Sequence, residues 1–228
     1  MGFNNNALQQ LSKSEILALS EFIVKENFKH HAAGNLPENF RSDVEEIYNE
    51  ELQFFDASQT FVAKSAQGEI EGSIRVLRWN YQSVLPIQKI FGINPIEIAG
   101  MSPMKHIYHI GRFAIKKEAS DVQLFKKLMV CAIAPICARE NAVAFAEIDS
   151  KLLRVLRALG IKATVVGESV DYLGSETIPV CMSHEGLISF YERNKHLVAT
   201  ATSTNQNEAY TLPQSVVSTP QNANYTLV

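Results

Sequence analysis

The order of hydrophobic patterns along this chain predicts an α/β fold. Three observations carry the expectation. Residues 107–166 alternate strand, helix, strand, helix, strand, an order that builds a sheet with parallel neighbours and helices on its faces. A hairpin pattern precedes that unit, with strands at 60–63 and 70–79. Hydrophobic residues make up 46% of the 228 and charged residues 20%, which allows a full core and excludes a mainly disordered chain.

Each element has its own signal. Ser12 or Ser14 caps a helix whose Ile16, Leu19, Ile23 and Phe28 form an apolar stripe. Gly34-Asn35-Leu36-Pro37 breaks it, and Val44, Ile47 and Tyr48 predict a second helix over 42–52. Ala66-Gln67-Gly68 turns the hairpin. In its second strand Ile70, Gly72, Ile74 and Val76 share one face, while Glu71, Ser73, Arg75 and Leu77 share the other. A strand is expected at 107–115. Residues 122–141 read as a helix that is apolar on most faces and therefore largely buried. A short buried strand follows at 143–146. The helix at 150–159 places Leu152, Leu153, Leu156 and Leu159 inward and Lys151, Arg154 and Arg157 outward, and Gly160 stops it. Strands at 161–166 and 177–182 and a short helix at 187–193 complete the expected domain. That domain spans 1–197, with N-terminal helices in 8–52 and its core in 53–183. Residues 198–228 hold no Lys or Arg and one acid, Glu208, and form a polar extension that is either weakly structured or docked in extended form.

Composition narrows function. Lys and Arg total 21 against 24 Asp and Glu, a net charge of -3, so a nucleic-acid partner is not expected. Cys131, Cys137 and Cys181 cannot build a disulfide framework and have no CxxC spacing, which points to a reducing, cytoplasmic setting. The polar start, Met1 to Asn6, has no targeting pattern, and the apolar stretch 128–138 is too short to span a bilayer and contains Pro135. Transient membrane or lipid contact stays open. His106 and His109 point to opposite faces of a strand and have no third ligand, so no metal is expected. No glycine-rich nucleotide fingerprint and no GxSxG elbow occur. Two cations stand out. Arg75 and Arg112 lie in strands that otherwise read as core, and each needs a carboxylate partner, such as Asp56 or Glu97, or a solvated cleft.

Those residues carry a resemblance. The element order, with Val155-Leu156-Arg157-Ala158-Leu159-Gly160-Ile161 closing the late helix and Tyr172-Leu173-Gly174 before Ile178-Pro179-Val180, resembles the GNAT acyltransferase superfamily. Phe55-Asp56, Gly72-Ser73-Ile74-Arg75 and His109-Ile110-Gly111-Arg112-Phe113 are similar, in order and separation, to the autoinducer (acyl-homoserine lactone) synthases and the N-acyl amino acid synthases. His109 stands where the autoinducer synthases have Glu. That departure argues against S-adenosylmethionine as substrate and suits the N-acyl amino acid branch.

The resemblance implies a mixed central sheet flanked by helices, with splayed central strands. It implies an N-acyltransferase that moves a long-chain acyl group from an acyl-carrier-protein or acyl-CoA thioester to an amino acid or other small amine, with no tightly bound cofactor. His109 or Glu97 would be the general base. Asp56, Arg75 and Arg112 would organise the acceptor site. Backbone groups at Phe113, Ala114, Ile115 and Lys116 would hold the pantetheine arm. Lys117, Lys126 and Lys127, with Lys116, would dock an acidic acyl carrier protein. The stretch from Lys116 to Gln123 lacks the glycine loop with which ordinary acetyl-CoA enzymes of this superfamily hold pyrophosphate. An ordinary acetyl-CoA-dependent acetyltransferase and a non-catalytic acyl- or CoA-binding module remain as alternatives on the same scaffold.

Overall fold

The computed structural model describes residues 8–31, 39–100, 106–119, 121–172 and 175–199. The predicted break at 34–37, the Leu173-Gly174 pair and residues 200–228 of the extension lie outside them.

The chain begins with a two-residue strand β1 (Gln9–Gln10) that the sequence pattern does not reveal. Ser12 then donates its backbone N–H to the Glu15 carboxylate at 2.9 Å, which nucleates a 3-10 turn over Lys13–Glu15 and leads into α1 (Ile16–His31). Helix α2 (Phe40–Phe54) extends two residues beyond the predicted span at each end. Val24 and Phe28 of α1 pack against Val44 and Ile47 of α2, so the apolar stripes of the two helices face each other.

The hairpin follows as β2 (Ser58–Lys64) and β3 (Ile70–Arg78), turned through Gly68 at a φ of 84°. Two short helices come next, α3 (Pro86–Phe91) and α4 (Pro95–Ala99), each with proline at its first turn. Then come β4 (His106–Ile115), α5 (Val122–Cys137), β5 (Ala142–Asp149), α6 (Ser150–Ala158), β6 (Thr164–Val165), β7 (Val170–Tyr172), β8 (Ser175–Ser183), α7 (His184–Asn194) and α8 (His196–Ala199). Helix α5 ends four residues before the predicted limit, just beyond Pro135.

The strands form one sheet in the order β1-β2-β3-β4-β5-β8-β6, with β7 also paired to β8. The expected run of parallel neighbours reduces to one pair among the described strands, β4 and β5. Strand β8 inserts antiparallel between β5 and β6. Its Val180 and Met182 are fully buried, whereas both residues of β6 are exposed, so β8 has the apolar surface a central position requires.

Each sheet face is covered. On one, Ile74, Val76, Tyr108, Ile110, Ala144 and Ala146 pack beneath α5 and α7 with Leu128, Ile133 and Phe190. On the other, Leu77, Ile107, Val143 and Phe145 pack with Phe54 of α2, Ile87 of α3 and Ala99 of α4. The predicted two-face reading of β3 holds, with Ile74 and Val76 on the α5 side and Leu77 on the α2 side. No helix among the described residues is long and apolar enough to cross a membrane.

Candidate active site

The site begins where two parallel strands part. β4 and β5 pair from His106↔Ala142 to His109↔Phe145 and no further. Beyond that point β4 stays with β3, β5 stays with β8, and the two diverge. A cavity of about 570 Å³ fills the opening. Its walls come from α1, α2 and α3 on one side and α5 and α6 on the other, with Ile110, Phe125, Met129, Leu152, Leu156 and Met182 supplying apolar surface.

The divergence coincides with a bulge. Ser73 opposes Ala114 and Arg75 opposes Gly111, so Ile74 alone faces both Arg112 and Phe113. Arg112 takes a φ of 55°, uncommon for a residue with a Cβ. Ser73 stabilises the turned backbone by donating its hydroxyl to the Arg112 carbonyl at 2.7 Å. One extra residue also reverses facing. Tyr108 and Ile110 lie on the α5 side before the bulge, and Phe113 and Ile115 lie there after it.

On the other face Arg75 and Arg112 meet two adjacent acids of α2. Arg75 is fully buried, and its guanidinium pairs with Glu51 and, at 3.0 Å, with Glu50. Arg112 Nε donates to Glu51 Oε1 at 2.7 Å, and Arg112 Nη2 lies 2.7 Å from Glu50 Oε1, an ion-pair contact. Two cations and two anions therefore neutralise one another. Burial works to raise the Glu50 pKa, but the charges of Arg112 and Arg75 prevail and hold it at about 2. Burial likewise disfavours charge on Arg112, and Glu50 and Glu51 more than offset it. Glu50 and Glu51, not Asp56 or Glu97, are thus the arginines' partners.

Next to this tetrad, His109 Nε2 lies 2.8 Å from Glu147 Oε2, bridging β4 and β5 at the point of parting. His109 is 1% exposed. Its Nδ1 and the second Glu147 oxygen, Oε1, are buried and have no hydrogen-bond partner among the described residues. A neutral imidazole facing a carboxylate puts its proton on Nε2, which leaves a lone pair on Nδ1. Gly111 makes room for the ring, since a Cβ there would meet His109 Cε1 at 2.9 Å.

No family model matches the sequence, and no curated protein matches it. Solved structures do. FeeM, an N-acyl amino acid synthase from uncultured soil microbes, superposes with a TM-score of 0.57 at 15% identity, over 80% of this chain and 98% of its own. TofI, seen in a ternary complex with an inhibitor and MTA, gives 0.55 at 18% identity, over 84% and 99%. The histone acetyltransferase HPA2 and related acetyltransferase of Corynebacterium glutamicum gives 0.50 at 16%, over 78% and 95%. The chain has the GNAT fold.

Within the GNAT cleft the predicted residues divide. His109, Arg112, Phe113, Ala114 and Ile115 line the cavity, and Arg75 supports Arg112 from behind. Lys116 is committed to β3, its backbone N–H to Glu71 O at 2.8 Å and its ammonium to Glu69 at 3.2 Å. Asp56 is exposed in the 3-10 turn after α2 and does not reach the arginines. Glu97 is exposed on α4, accepts from Asn94 at 3.0 Å, and lies outside the cavity wall. Lys117 is exposed, and Lys126 and Lys127 are half-exposed on α5. Burial pushes Cys131 up to about 11 and Cys137, aided by Glu192, up to about 12, so neither is a thiolate nucleophile.

Sequence reasoning missed Glu50, Glu51, Glu147 and Glu26. Glu26, on α1, is buried and accepts from the backbone N–H of Lys117 at 3.2 Å and from Lys29 at 2.8 Å. Asp121 caps α5 by accepting from Gln123 N at 3.0 Å. The turn between β4 and α5 thus turns backbone donors toward carboxylates of the chain itself.

Proposed function

We propose that this chain is an N-acyltransferase. It would move a long acyl group from an acyl-carrier-protein thioester to a small primary amine, and the cavity between β4 and β5 would be its active site. The observation that carries the reading is the parting of those strands at His109↔Phe145 over an apolar cavity with a buried histidine paired to a partly buried glutamate at its apex. The folds of FeeM and TofI agree with it.

The reaction is aminolysis of a thioester. The amine nitrogen attacks the carbonyl carbon, an N–C bond forms, the C–S bond breaks, and the thiolate leaves as a thiol. Starting from an ammonium, one proton goes to the thiol and one to bulk water. His109 accepts the ammonium proton at Nδ1, directly or through one water, and Glu147 fixes the tautomer that leaves Nδ1 free. The β4 edge beyond His109, where the register with β5 ends, receives the pantetheine arm. The tetrad of Arg75, Arg112, Glu50 and Glu51 holds the bulge in place rather than binding substrate. Glu26 and Asp121, by occupying amides at the β4–α5 turn, favour a carrier-protein donor over one bearing a pyrophosphate. The exposed or half-exposed Lys117, Lys126 and Lys127 would meet the acidic carrier protein.

The test is mass spectrometry of lipid extracts from cells overproducing the protein, joined to an assay of purified protein with palmitoyl-carrier protein, palmitoyl-CoA and acetyl-CoA as donors. New N-acyl lipids and thiol release from the long-chain donors support the reading. Release from acetyl-CoA alone would assign an ordinary acetyltransferase. Bound thioester without release would assign a binding module.

A further inference from the structure

Resting on that acyltransferase reading, we infer that the acceptor is a cationic amine without a free carboxylate group, seated with its ammonium at His109 and Glu147. An amino acid would need a cation to hold its carboxylate, and the cavity has none to spare at its polar end. Arg112 is held by Glu50 and Glu51, and Arg75 behind it is held by the same two acids. Lys89 of α3 pairs with Glu46 at 2.5 Å. Lys151 is the remaining lining cation, and it sits exposed on the first turn of α6, where water screens it.

Arg112 Nη2 makes no hydrogen bond among the described residues, but it lies 2.7 Å from Glu50 Oε1 and is neutralised there. The acceptor atoms show the opposite excess. Glu147 Oε1 and His109 Nδ1 are both buried and without partners among the described residues, on two side chains that line the same cavity. A buried carboxylate oxygen with no donor is costly, and an arriving ammonium supplies the donor. Charge on the whole wall agrees. Glu26, Asp121 and Asp149 line the cavity with Glu50 and Glu147, so the wall carries five carboxylates against Lys89, Arg112 and Lys151. The second layer adds Arg75 and Lys29 against Glu51 and Glu46 and leaves that balance unchanged. An apolar cleft with an excess of negative charge concentrates cations and repels a carboxylate.

The experiment uses the purified full chain with palmitoyl-carrier protein and matched acceptors: phenylalanine against phenylalaninamide, and glycine against ethanolamine. Amide product is read by mass spectrometry. The expected result is a kcat/KM for the carboxylate-free partner higher by about tenfold or more, the scale of one unscreened like-charge contact in a partly buried site. Glu147→Gln should narrow the ratio. Equal or better use of the free acids overturns the inference and leaves the acyltransferase reading standing, as does a ratio that Glu147→Gln does not change. Transfer to none of the acceptors overturns the acyltransferase reading, and the inference with it.

Discussion

Arg112 Nε donates to Glu51 Oε1 at 2.7 Å, so the bulged strand β4 is fixed to helix α2 by a buried ion pair. The same oxygen takes the guanidinium of Arg75, which has no exposed surface. Glu51 therefore neutralises two cations, Arg75 without exposed surface and Arg112 with only a small part of its side chain open to the cavity. Removing one partner of a buried pair costs more than the pair contributes, because the survivor stays desolvated. Glu51→Ala should destabilise the protein by about 3–5 kcal/mol in urea unfolding. Asp56→Ala, at an exposed position outside the tetrad, should shift stability by no more than about 0.5 kcal/mol. Similar losses for the two variants would contradict the assignment of Glu51 as the central anion.

The tetrad also predicts an acid limb. Glu50 ionises at about 2 in the folded chain against an ordinary value of 4.5. A carboxylate with a depressed pKa stabilises the fold above its unfolded value, and that stability is lost as pH falls through the folded value. Melting temperature should therefore fall between about pH 4.5 and pH 2. Glu50→Gln should lower the melting temperature at neutral pH and flatten this limb. An equally steep limb in the variant would show that other carboxylates produce it.

How far the sequence anticipated this site depends on the range of each contact. Arg75 was readable because a charge in the apolar run Ile74-Arg75-Val76 violates strand patterning, and its facing followed from period two. The partners were not readable. Glu50 and Glu51 lie 25 and 24 residues from Arg75, and 51 lies 61 from Arg112, on a helix whose acids read as a solvated face. The bulge gave no signal either. A left-handed position normally advertises itself by glycine, yet here the glycine is at 111 and the positive φ is at Arg112. Glu147 did have a signal, since a lone acid in Ala144-Phe145-Ala146-Glu147-Ile148 breaks a buried strand as Arg75 does. Helices α3 and α4 are too short to show periodicity, and only Pro86 and Pro95 mark them.

His109 and its carboxylate can be separated by chemistry. His109→Ala should lower kcat by about 10²–10⁴-fold if the ring is the base. Glu147→Gln keeps a hydrogen-bond acceptor for Nε2 but removes the charge, so its loss of kcat should be smaller than that of His109→Ala. Gly111→Ala is a steric version of the same test. Its methyl would lie 2.9 Å from His109 Cε1, so the ring must tilt. Its kcat should fall while the melting temperature stays close to that of the parent. An unchanged kcat in His109→Ala protein that melts normally would remove His109 from the chemistry.

The last prediction concerns the donor. A backbone N–H at the turn before a helix is a natural partner for phosphate. Here the Lys117 N–H donates to Glu26, a buried carboxylate on α1 that Lys29 also contacts. A pyrophosphate arriving at this turn would have to displace a charged side chain of like sign. A pantetheine arm attached to a carrier protein has a single phosphodiester and can leave the turn undisturbed. Wild-type protein should therefore prefer palmitoyl-carrier protein to palmitoyl-CoA. Glu26→Gln keeps an oxygen acceptor for Lys117 and removes the charge, so it should raise use of palmitoyl-CoA by about tenfold, the scale of one charge-assisted contact. Glu26→Ala should raise it further, provided a melting curve shows that the α1 anchor survives. Carrier-protein turnover should change less in both variants. If neither variant improves on palmitoyl-CoA, Glu26 is a structural acid that joins α1 to the turn, and donor choice is made elsewhere.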